Sequence, residues 1–147
     1  MLRATYIAAV LLTALCLVPA GAHFFALPNK IDLSRDTYFI VQHTYQGWAL
    51  FGAVVFAAIA ANVALGFALR RAALPAWPGF AAAALVAATL VVFFIWVFPG
   101  NQATANWTAM PENWEALRTR WEYGHAASAV LTFLALGATT VAWPRRG

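Results

Sequence analysis

Charge is scarce in this chain: only 10% of its 147 residues are Asp, Glu, Lys or Arg, against about a quarter in soluble domains. So few charges cannot cover a water-facing surface, which excludes an ordinary soluble domain. Cysteine is nearly absent. Cys16 stands alone in an apolar run, so no internal disulfide can form, and membrane thiol oxidoreductases, which work through a cysteine pair, are excluded. Phosphate-binding loops and Ser-His-Asp motifs are missing. Glu122-Tyr123-Gly124-His125 supplies one Glu-x-x-His, where a diiron bundle needs two copies and further carboxylates.

What the chain does have is apolar length. It is 63% hydrophobic, with a net charge of +4. A membrane helix needs about 20 apolar residues to cross about 30 Å of hydrocarbon. Four runs satisfy this, over about 6–25, 49–69, 76–98 and 124–143. Alanine dominates them and no period-2 alternation appears, so they are expected to be helices. The expected fold is one all-α domain, a four-helix transmembrane bundle. The first run resembles a signal peptide, with Arg3 before it and Ala20-Gly21-Ala22 as a cleavage-like motif. Cleavage would leave His23 as a copper-binding N-terminus. The apolar run continues through Phe24 and Phe25, so it is read as a span.

The positive-inside rule sets orientation. Arg3, Arg70-Arg71 and Arg145-Arg146 fall on one side, and Lys30, Arg35, Arg118 and Arg120 on the other. All five acids, Asp32, Asp36, Glu112, Glu115 and Glu122, share the second side. Arg70-Arg71 lies in a short loop without acids. Both termini are therefore expected in the cytoplasm, with the protein in the inner (cytoplasmic) membrane. The arginines flank apolar runs, so the basic excess reads as topology and not as nucleic-acid binding. The expected partners are the bilayer and a lipophilic small molecule, and a homo-oligomer is compatible with the sequence.

Helices two and four are expected to overshoot the membrane on the second side, over about 34–48 and 111–123. Ser34 is a candidate N-cap with Asp36 in the first turn, and Pro111 fits a first helical position with Glu112 and Glu115 following. One helix from Ser34 to Arg70 would be about 50 Å long. The projecting turns carry the reactive side chains. On helix two, Phe39, His43, Gln46 and Leu50 follow one stripe, and Tyr38, Gln42 and Tyr45 the next. On helix four, Trp114, Arg118, Trp121 and His125 recur at helical spacing, and Arg118 can pair with Glu122 four residues on. His23, near the end of helix one, completes three histidines expected to meet there.

The third loop adds Asn101, Gln102, Asn106, Trp107 and Thr108, with Pro99-Gly100 as a turn signal. Asn106-Trp107-Thr108 matches a glycosylation sequon. Trp48, Trp77, Trp96 and Trp143 suit an interfacial aromatic belt. The opposite half is bland. Asn62 is expected to bond between helices, and Ala53, Ala57 and Ala61, or Ala60, Ala64 and Ala68, to form small-residue packing faces.

Histidine can carry protons or bind metal, arginine can hold a developing oxyanion, and aromatic walls suit a flat lipophilic molecule. The run from Pro111 to His125, Pro-Glu-Asn-Trp-Glu-x-Leu-Arg-x-Arg-Trp-Glu-x-Gly-His, resembles a family of small four-helix membrane proteins that includes the fungal anthrone oxygenases. Gly21-Ala22-His23-Phe24-Phe25 and helix two fit it as well. The resemblance implies oxidation of an anthrone to an anthraquinone by dioxygen, with no cofactor. On that reading His125 is the base, assisted by His43, and Arg118 holds the anion. Asn101, Asn106, Trp107, Trp114, Trp121, Glu122, Gln46 and His23 position the substrate. No metal site is expected. The alternatives are a haem or metal ion ligated by His23, His43 or His125, and a non-enzymatic binder of lipophilic ligands.

Overall fold

The computed structural model describes residues 1–143; Arg145 and Arg146, used above for topology, lie outside the described residues. It is an all-α bundle of four long apolar helical segments, Leu2–Lys30, Trp48–Arg71, Trp77–Ala103 and Trp114–Val141, each long enough to cross a membrane. No strand occurs among the described residues. Helix α1 (Leu2–Lys30) and helix α3 (Phe51–Arg71) pack together, as do α3 and α4 (Trp77–Val92), α4 and α6 (Trp114–Val141), and α6 and α1. The ring of contacts closes, with each helix between two neighbours. Leu11, Val18, Phe56, Val91 and Phe133 point outward, as helices solvated by lipid allow.

A small polar clasp sits mid-bundle. Asn62 on α3 donates through Nδ2 to the Thr13 hydroxyl on α1 (2.8 Å), and the Thr139 hydroxyl on α6 donates to Asn62 Oδ1 (2.9 Å). All three residues are buried. Asn62 thus bonds between helices as its sequence position suggested, and it sets the rotation of α3. The buried stripe is Ala58, Asn62, Leu65, Gly66 and Leu69, whereas Ala53, Ala60 and Ala64 are exposed. Of the small-residue stripes expected above, Ala61 packs against the core and Ala57 and Ala68 are half-buried, but the most buried stripe is the one that Asn62 turns inward, since an amide in hydrocarbon must find partners. Close approach happens instead at Gly79, where a Cβ would lie 2.5 Å from the Gly66 nitrogen. Asn62→Ala should lower stability in detergent by about 1–2 kcal/mol, at roughly 0.6 and up to about 1.7 kcal/mol per interhelical bond. Reversible unfolding followed by tryptophan fluorescence would measure it.

Two helices depart from expectation. The second is not one rod from Ser34 to Arg70. Helix α2 (Arg35–Gln42) passes into a tight turn at His43–Tyr45, and a second such turn, Trp48–Leu50, leads into α3. Between them Gly47 adopts φ +82°, a left-handed conformation that side chains disfavour. The extension is helical but broken from its span, so α2 is free to fold over the end of the bundle. The third span does not turn at Pro99-Gly100; it continues as α5 (Phe98–Ala103) after a π-helical stretch at Phe93–Val97. Pro99 has no N–H for the Ile95 carbonyl four residues back and crowds it, so the helix widens there. Arg120 on α6 donates to that carbonyl at 3.4 Å. Helix α6 starts at Trp114, with Asn113 as its cap, so Pro111 belongs to the preceding turn and not to the first helical position.

Candidate functional site

The end of the bundle away from Met1 is capped by α2 and the 104–113 segment. The 104–113 segment owes its course to Thr104, whose hydroxyl donates to the Gly100 carbonyl (2.8 Å) and accepts from the Trp107 backbone N–H (2.9 Å). Ala105, Asn106 and Trp107 follow with φ of 47°, 56° and 66°, three successive left-handed residues. Such a turn is costly outside glycine. Its result is to bury the Trp107 indole against Tyr38, Phe39 and Trp121, with ring centroids 5.1, 5.5 and 5.7 Å away.

Beneath this cap lies a buried ion pair. Lys30, in the last turn of α1, places Nζ 2.9 Å from Glu122 Oε1, with side chains 4% and 0% exposed. Tyr38 on α2 donates its hydroxyl to the same oxygen at 2.9 Å. Burial above all, and then the Glu122 carboxylate, hold the Tyr38 phenol far above the usual tyrosine range, while Gln42 and Arg118 pull the other way; it therefore serves as a donor. The Lys30 ammonium also stands over the rings of Tyr45 (4.7 Å) and Trp121 (5.3 Å), where the ring quadrupoles favour a cation.

His23 and His125 stack beside the same two rings. Their centroids are 4.0 Å apart and their planes 22° from parallel. His23 also meets Tyr45 at 4.3 Å, Trp121 at 5.0 Å and Trp48 at 5.5 Å. The Trp121 indole N–H is held by Asn101 Oδ1 at 2.8 Å. Trp48 therefore belongs to this cluster and not to an outer belt, unlike the exposed Trp77 and Trp96.

Among the residues singled out from sequence, His23, His125, Asn101, Trp107, Trp114, Trp121, Glu122 and Arg118 are gathered into this cap. His43, Gln46 and Asn106 are not; all three are exposed. Because the helix breaks after Gln42, the inward stripe of the second segment is Tyr38, Gln42 and Tyr45, and the stripe carrying His43 and Gln46 faces out beyond Phe39. His43 lines a shallow groove of about 350 Å³ with Asp36, Phe39, Ile40, Trp107, Thr108 and Met110. A second open groove, also about 350 Å³, is lined by Trp96, Arg120 and Tyr123. The expected Arg118–Glu122 pair is replaced. Arg118 donates to the Leu33 carbonyl at 2.7 Å and lies on the Trp114 ring at 4.6 Å, tying the α1–α2 link to α6, while Glu122 takes Lys30.

Tyr38, Gln42 and Tyr45 were read from sequence only as a neighbouring stripe with no role in the site, and Lys30 only as a topology charge. Lys30 had a legible signal: it is two helical turns from His23 on the same face. Among the described residues, no group of three or more His, Cys, Asp or Glu converges as a metal site.

The cap differs from the rest of the bundle in one respect. Mid-bundle polar side chains are hydrogen-bonded: Asn62, Thr13, Thr89, Thr132 and Thr139 all have partners. Among the described residues, the buried side-chain atoms without a close hydrogen-bond partner are His23 Nδ1, Lys30 Nζ (beyond its ionic contact), the Gln42 amide (beyond its approach to the Tyr38 hydroxyl), Trp107 Nε1, Arg118 Nε and Glu122 Oε2. Every one belongs to the cap. Buried polar atoms in native proteins are nearly always satisfied, and a local excess of unpaired ones calls for water or a ligand. Comparison with protein-family profiles, with curated proteins and with solved structures finds no match to this chain.

Proposed function

We propose that the capped end is the reaction site of a cofactor-independent membrane oxygenase that acts on a lipophilic polycyclic substrate of the anthrone, phenol or quinol type. The observation that carries this reading is the concentration of unpaired buried polar atoms on six residues of the cap, beside a stacked imidazole pair and inside an aromatic wall. The resemblance of the 111–125 run to anthrone oxygenases supplies the reaction class. The same reading puts the cap on the outer side of the cytoplasmic membrane and the termini in the cytoplasm, since Arg3, Arg70 and Arg71 mark the other end.

For an anthrone the chemistry runs as follows. An unprotonated imidazole of the His23–His125 pair takes a proton from the benzylic CH₂. The negative charge moves onto the ring oxygen as an enolate, stabilised by the Lys30 ammonium or the Arg118 guanidinium. The carbanion gives its electrons to dioxygen and a C–O bond forms, leaving a peroxide that takes up the proton. Loss of the second C–H proton with cleavage of O–O releases water and the quinone carbonyl. One anthrone and one dioxygen give one anthraquinone and one water.

The test is oxygen uptake by the purified protein in lipid nanodiscs supplied with anthrone, against empty discs. One dioxygen consumed per anthraquinone formed, above the spontaneous rate, is expected. Saturable anthrone binding with no uptake above background would make the protein a binding protein and reject the oxygenase reading.

A further inference from the structure

We infer that the groove beside Arg120 seats one phospholipid of the bilayer, with an anionic headgroup on the guanidinium and an acyl chain running down between the third span and α6. The inference stands apart from the reading of the cap, because this groove opens on the outer surface of the bundle. It holds about 350 Å³ and is lined by Trp96, Thr119, Arg120, Tyr123, Gly124 and Ala127. Arg120, Tyr123, Gly124 and Ala127 fall at i, i+3, i+4 and i+7 on one helix face. The groove therefore follows α6 for two turns, about 10 Å.

The chemistry changes in order along those two turns. Thr119 and Arg120, both exposed, stand at the end nearer the cap. Trp96 and Tyr123 come next and are also exposed, as aromatic side chains are where headgroups meet tails. Gly124 and Ala127 follow, and from Tyr123 to Val141 the helix carries no Asp, Glu, Lys or Arg. Cation, rings and apolar floor thus succeed one another as phosphate, glycerol and chain do in a phospholipid. Gly124 supplies the floor. A Cβ there would lie 3.0 Å from Val97 Cγ2 and 3.1 Å from Trp96 Cβ, so α6 and the π-helical stretch touch at that level.

The charge at the head of the groove is uncommitted. The ion pairs among the described residues are Lys30–Glu122 and Arg35–Asp36, so no carboxylate neutralises Arg120. Its one hydrogen bond, to the Ile95 carbonyl, is long at 3.4 Å. A guanidinium has five N–H donors, and a phosphate takes two of them side by side. Beside hydrocarbon, the available counter-ion for such an arginine is the phosphate of a lipid, whose chain the apolar part of the groove also accepts.

Native mass spectrometry identifies the lipid that stays on the protein. The full chain is released from nanodiscs of equal parts dioleoyl phosphatidylglycerol and dioleoyl phosphatidylcholine. The wild type should retain one phosphatidylglycerol in preference to phosphatidylcholine by about fivefold, the factor that one basic residue supplies at a membrane surface. Arg120→Gln should bring the ratio close to one, and Arg120→Lys should keep most of the preference. Ala127→Phe, which fills the lower groove, should reduce retention of both lipids. Arg70→Gln, at the opposite end of the bundle, should change nothing. The inference is overturned by equal retention in the wild type, by a preference that persists in Arg120→Gln, by one that Arg70→Gln removes, by unchanged retention in Ala127→Phe, or by release of the lipid with inorganic phosphate. Oxygen uptake has no part in this readout, so the oxygenase reading stands or falls separately.

Discussion

Lys30→Met should destabilise the protein by about 3–5 kcal/mol, the usual cost of stranding one partner of a buried ion pair. Lys30 and Glu122 lie 2.9 Å apart, and neither side chain is more than 4% exposed. Without the ammonium, the carboxylate keeps only the Tyr38 hydroxyl, and its second oxygen already lacks a partner. The double variant Lys30→Met with Glu122→Leu should recover most of the loss, since well-packed apolar replacements of a buried pair are often neutral or stabilising. Equilibrium unfolding of both variants in detergent would measure this. A single variant within about 1 kcal/mol of wild type would show that the pair does not carry the cap. The expected recovery also separates stability from function: the double variant should fold and fail to turn over.

His125→Ala should lower the turnover number on anthrone by about 10²–10⁴-fold, the span usual for loss of a general base. His23 remains 4.0 Å away in the wild-type stack, so the single variant belongs near the lower end of that span. His23→Ala combined with His125→Ala belongs near the upper end. Lys30 and Glu122 should hold the cap in both, leaving anaerobic affinity for the substrate little changed. Stopped-flow measurement of anthraquinone formation would give the rates. A rate unchanged in the double variant would remove the imidazoles from the chemistry.

The four spans could be read directly from the sequence because a bilayer demands long apolar helices and little else satisfies 63% hydrophobic composition. The α6 part of the site was equally legible: Trp114, Arg118, Trp121 and His125 follow helical spacing, and the helix forms without a break. The second segment was not, because its helically spaced stripe Phe39–His43–Gln46–Leu50 runs on through a position where the backbone turns left-handed. Gly47 alone marked that break, and glycine inside a helical pattern is often tolerated. Lys30 entered the sequence reading only as a topology charge, because the first span was read as about 6–25; α1 includes it nonetheless. Local spacing offered Glu122 to Arg118, but a tertiary contact decided the pairing. The π-helical stretch needed knowledge that Arg120, from another helix, reaches the Ile95 carbonyl that Pro99 leaves free.

Photoaffinity labelling tests the location of the site most directly. A diazirine-bearing polycyclic phenol is irradiated with the protein in nanodiscs, with and without excess unlabelled phenol, and the labelled peptides are mapped by mass spectrometry. Competable labels should fall on 23–30, 38–45 and 118–125, the three segments that meet beneath the cap. Labels confined to outward-facing positions such as Phe56, Phe94 or Phe133, and insensitive to competitor, would contradict a ligand site there.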